Sequence, residues 1–68
     1  MIDRETAECV RDLALKAISE LSRALAVGQA GCSGEDFENI KRGIGLSIGR
    51  IQTELIDVVV ADYPDLQI

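Results

Sequence analysis

The sequence predicts an all-α fold: two helices pairing as an antiparallel hairpin, and that hairpin dimerising into a four-helix bundle. Three observations carry the expectation. Hydrophobic residues make up 47% of the chain while aromatics make up only 3%, with Phe37 and Tyr63 alone. A core built from aliphatic side chains suits packed helices better than a small sandwich. Apolar positions recur with a helical period in both halves of the chain. Finally, a hairpin of 68 residues buries only one stripe per helix, and chains this small need staples or oligomerisation to offset the entropy of ordering.

Helix 1 is expected over about residues 4–27. At 100° per residue, Thr6, Ala7, Val10, Leu13, Ala14, Ala17, Ile18, Leu21, Ala24 and Leu25 fall on one stripe roughly 140° wide. The opposite face carries Arg4, Glu5, Glu8, Asp12, Lys16, Ser19 and Arg23, a solvated surface on which Asp12 and Lys16 are spaced for an i,i+4 pair. Asp3 is placed to cap the N-terminus, Glu5 and Glu8 suit the positive end of the dipole, and Gly28 is a natural residue to follow the last turn.

The loop is expected over residues 28–34, where Gly28, Gly31 and Gly34 cluster. Ser33 followed three residues later by Asp36 approximates a capping box for helix 2, expected over about residues 35–62. Phe37, Ile40, Ile44, Ser47, Ile48, Ile51, Leu55, Val58 and Val59 form its apolar stripe. Val58-Val59-Val60 would also suit a strand, but a lone strand has no partner here. Pro64 disfavours helix at Tyr63, so residues 63–68 are expected to be extended. The whole chain reads as a single domain.

Helix 2 carries a second stripe, Gly45, Gly49, Gln52, Ile56, Val60 and Tyr63, rotated about 120° from the first. A helix with one neighbour has no use for it, so these six residues are the candidate interface. Glycine within a helix costs about 1 kcal/mol relative to alanine, which makes Gly43, Gly45 and Gly49 an expense of roughly 3 kcal/mol. Two readings stay open. Gly45 and Gly49 allow another backbone to approach closely, or they mark a kink or frayed segment.

Several chemistries are excluded or disfavoured. The chain has no histidine, which removes the commonest general base, the commonest zinc ligand and every Ser-His or Cys-His arrangement. A net charge of −5 repels phosphate backbones and anionic membranes, and Lys41, Arg42 and Arg50 are spread around the helix rather than along a stripe. Arg50, Glu54 and Asp57 interrupt the most apolar stretch before it reaches membrane-spanning length. Gly43-Ile44-Gly45 has neither the preceding strand nor the spacing of a phosphate loop. Cys9 and Cys32 lie roughly 30 Å apart along helix 1, too far to pair within one chain, and two distant thiols do not make a metal site. Carboxylates do occur at helical spacing, Glu5 with Glu8 and Glu54 with Asp57, and such pairs could hold a divalent ion between packed helices, but they lack a histidine partner. No catalytic residue, cofactor or metal site is expected. The charged N-terminus lacks the apolar segment of a signal peptide, so the chain is expected in the cytoplasm with free thiols.

Cys32-Ser33-Gly34-Glu35-Asp36-Phe37, the glycines at Gly45 and Gly49 after Ile48, and Tyr63-Pro64-Asp65-Leu66 resemble a group of short bacterial helical proteins without an assigned activity. The resemblance covers mainly the second half and implies a small helical bacterial protein with no catalytic residue. The expected function is a non-enzymatic interaction, adaptor or regulatory module that pairs with itself. The alternatives are a chaperone-like partner of another helical protein, or an RNA-binding hairpin dimer with the architecture of plasmid copy-number regulators of the Rop type.

Overall fold

A computed structural model describes residues 1–67, and every regular element among them is helical. Helix α1 spans Arg4–Gly31 and α2 spans Gly34–Ile51. One π-helical turn, Gln52–Ile56, joins α2 to α3, Asp57–Asp62, and Pro64–Leu66 form a 3-10 turn. The all-α class therefore holds, and the Val58–Val60 run is helical.

Asp3 caps α1 as its position predicts: its carboxylate accepts from the Thr6 backbone N–H at 3.0 Å and from the Thr6 hydroxyl at 2.7 Å. These bonds, the hydroxyl's first, hold the Asp3 carboxyl below its ordinary pKa. Asp12 pairs with the neighbouring Arg11 at 2.9 Å rather than with Lys16.

Helix α1 does not stop before Gly28. It continues one further turn, and the Cys32 N–H closes it on the Gly28 carbonyl at 2.9 Å. Gly28 is buried, and a Cβ there would lie 3.2 Å from Ile40 Cγ2. Its small size serves close approach of the two arms, not a left-handed helix end. The connection is consequently two residues, Cys32 and Ser33, instead of seven. Gly34, with φ of +62°, makes the left-handed turn that only glycine adopts readily. Ser33 stands at the N-cap of α2 but makes no side-chain cap bond, so the capping box with Asp36 does not form.

The π turn changes which residues face inward. In an uninterrupted helix the stripe through Ile44, Ile48 and Ile51 continues to Leu55 and Val58. One extra residue in the turn delays the rotation by about a residue. Ile56, five positions after Ile51, becomes 2% exposed and Val59 is equally enclosed, while Leu55 and Val58 are left 40% and 51% exposed. Upstream, the Thr53 hydroxyl donates to the Gly49 carbonyl at 3.1 Å and the Ser47 hydroxyl to the Gly43 carbonyl at 2.8 Å. Such back-bonding to the preceding turn is a recognised source of helix bending.

The shape is a rod of 45 × 15 × 14 Å with a radius of gyration of 14.5 Å, against about 11 Å for a compact domain of this length. Near one end Ala7 packs with Val59 and Leu66, joined by Ile2, Val10, Val60 and Tyr63. Near the other, Gly28 meets Ile40. The buried hydrophobic side chains are few: Ala7, Ala14, Ile56, Val59 and Leu66.

The segment after Tyr63 is docked rather than simply extended, because Leu66 is buried in that core; Ile68 lies outside the described residues. Polar contacts fasten it to the start of the chain. The Ile2 N–H donates to Asp62 Oδ2 at 3.2 Å, and the Tyr63 hydroxyl donates to the Ile2 carbonyl at 2.7 Å. Arg4 bonds Glu8 at 3.0 Å and Asp65, with its guanidinium 5.5 Å from the Tyr63 ring centroid. The hydrogen bond from Arg4 holds the Asp65 carboxyl below its ordinary range, and the same bond raises the Arg4 pKa.

Candidate functional site

The six residues of the second stripe are divided by the π turn. Gly45, Gly49 and Gln52 precede it or open it, and all three are exposed. The space beside Gly45 and Gly49 is open, with no atom of another part of the chain within 4 Å of a Cβ built at either. Ile56 is turned into the chain's own core, Val60 is half-buried against the Ala7–Val59–Leu66 cluster, and Tyr63 is half-buried with its hydroxyl bonded to Ile2. These three residues therefore have partners inside the chain. The alignment of the glycines with Ile56 and Val60 held only for an uninterrupted 3.6-residue period.

Exposed apolar surface lies elsewhere. Leu13 is 61% exposed, and Val27, Ile40, Leu55 and Val58 are also open to solvent. On α1 the inward line runs through Ala7, Val10, Ala14, Ile18, Leu21, Leu25 and Gly28, all buried or half-buried. Leu13, Ala17 and Ala24, read from the sequence as part of one stripe, form a separate exposed flank beside that line. A warning was legible in the sequence: a stripe roughly 140° wide is broader than one neighbouring helix covers. Leu46 is 65% exposed but stands alone, on the side of α2 away from Ile44 and Ile48.

Chemistry-bearing side chains are dispersed. Cys9 is exposed and Cys32 half-buried, both free thiols. Among the described residues, no three of Cys, Asp and Glu come together in a group that would hold a metal ion. A wide, shallow depression at the connection is lined by Ala30, Gly31, Cys32, Ser33 and Asp36. It lies open to solvent and encloses no apolar cavity of the kind that buries a small ligand. No helix among the described residues is long and apolar enough to cross a membrane. Comparisons with protein-family models, curated proteins and solved structures find no match to this chain.

Proposed function

We propose that the chain is a non-enzymatic helical interaction module: an antiparallel hairpin that pairs with a second copy as a four-helix bundle and presents a helical surface as an adaptor or regulator. The observation that carries this reading is surface left over. The chain exposes 4835 Å², whereas a folded monomer of 7.3 kDa is expected to expose about 4,200 Å². The excess of about 600 Å² approaches the roughly 800 Å² that each partner contributes to a standard protein interface.

The chemical inventory supports the same reading. The chain has no histidine, and among the described residues no three acidic or thiol side chains gather in one place, an inventory that suits binding better than acid–base or nucleophilic work. Two unpaired thiols fit a reducing bacterial cytoplasm, in keeping with the likeness to short bacterial helical proteins. Sedimentation equilibrium at micromolar concentration tests the proposal. A mass twice 7.3 kDa is expected. A monomer throughout that range would overturn self-pairing and favour a different helical protein as the occupant.

A further inference from the structure

We propose that the C-terminal arm, the π turn with α3, has two helical registers and that the tail, residues 62–66, selects between them. The turn Gln52–Ile56 holds one residue more than an α-helical turn, and π geometry is the rarer form. Were it to relax to regular α-helix, every later residue would step forward one place, a rotation of about 100°. Leu55 would then stand where Ile56 stands, Val58 where Val59 stands, and Val59 where Val60 stands. Each exchange puts an aliphatic side chain of equal or near-equal size into the same space, the kind of replacement a core tolerates best. The Val58-Val59-Val60 run, poor in helix propensity, thereby packs in either register.

The equivalence ends at residue 62. One step forward puts Asp62 in the place of Tyr63 and Asp65 in the place of Leu66, which is 3% exposed. A carboxylate in the space of a buried leucine would be desolvated. The bonds of Tyr63 and Asp62 to the Ile2 backbone and of Arg4 to Asp65 belong to the register seen. The tail therefore supplies the preference that the rest of the arm lacks. With the tail docked, Ile56 and Val59 are 2% and 1% exposed, against 40% for Leu55 and 51% for Val58. With it undocked, the α register turns Leu55 and Val58 inward and returns Ile56 and Val60 to the line of Gly45 and Gly49. Release of the tail is read out as a rotation of the arm, a two-state device of the single chain whether or not it pairs with another.

Thiol modification at two adjacent positions tests this, in the full chain with Cys9 and Cys32 replaced by serine. With the native tail, Val58→Cys should react about 10-fold or more faster than Val59→Cys, because only Val59 is buried. Leu66→Ser weakens docking of the tail. It should slow Val58→Cys and speed Val59→Cys until their order reverses, with helix content by circular dichroism unchanged. Should Leu66→Ser lose helix, Tyr63→Phe gives a milder comparison: the Val59→Cys rate should rise and the Val58→Cys rate should not. Deleting Thr53 removes the surplus residue, so Val59→Cys should stay protected even when combined with Leu66→Ser. Two rates that rise together when the tail is loosened would show fraying instead of rotation and overturn the proposal, as would rates indifferent to the tail. Loss of helix or of Val59→Cys protection on deleting Thr53 would also overturn it.

Discussion

Replacing Ile56 with alanine separates the two possible phases of the C-terminal arm. In the structure Ile56 is 2% exposed and lies in the single chain's own core. The change removes three buried carbons, worth about 2.4 kcal/mol at about 0.8 kcal/mol each, and any cavity that persists adds to this. The rod is thin enough to relax around the gap, so the expected cost is about 2.5–3 kcal/mol. For a chain this short, that corresponds to a melting temperature lowered by roughly 10–20 °C. Urea unfolding followed by circular dichroism at several protein concentrations gives both the cost and its dependence on association. The reasoning would be refuted by a variant that stays fully helical and as resistant to urea as wild type while its dimer dissociates. That outcome would return Ile56 to an intermolecular contact.

Further expectations concern the ends and the glycines. Tyr63→Phe deletes the 2.7 Å bond to the Ile2 carbonyl and should cost about 1 kcal/mol in thermal or urea unfolding; no change would show that the C-terminal turn is not held there. Asp3 and Asp65 both titrate below the ordinary value of 3.8. Their contribution to stability is therefore complete above that value and is lost as pH falls through their lowered folded-state pKa values. Melting temperature from pH 7 to 3 should accordingly drop less steeply in Asp65→Asn than in wild type, and parallel curves would count against the Arg4–Asp65 contact. Gly49→Ala enters open space and should stabilise the chain by up to about 1 kcal/mol with the dimer intact. Dissociation of that variant would place the contact on the glycine flank. Added salt should tighten the dimer by screening two chains of like charge, and a dimer that loosens with salt would indicate ion pairs across the contact.

Helix type and approximate extent were legible in the sequence because they rest on local properties: the apolar period, the Asp3 cap and Pro64 after the last helical turn. What was not legible depended on the second arm. Gly28 looks like a helix end until Ile40 packs on it, at which point its lack of a side chain becomes a requirement of close approach. Ser33 has the right residue type and place for a cap, yet its side chain makes no cap bond.

The candidate interface suffered most from a single event. Counting 3.6 residues per turn through Gln52–Ile56 carries Ile56 and Val60 onto the glycine flank, whereas the π turn returns Ile56 and Val59 to the core and leaves Leu55 and Val58 outside. The signals near that turn, Thr53 bonded back to the Gly49 carbonyl and the glycine-rich approach to it, fit the kink reading of the glycines. On α1, the breadth of the apolar stripe conceals two faces: one line of residues packs inward and the flank through Leu13 does not.

Isotope-filtered nuclear Overhauser measurements on a mixture of labelled and unlabelled chains test the central claim most directly, since they report only contacts between copies. The account predicts cross-peaks to a second chain from methyl groups that the single chain leaves exposed, and none from Ile56, which lies in the chain's own core. An absence of intermolecular cross-peaks, or cross-peaks that reach Ile56, would contradict it.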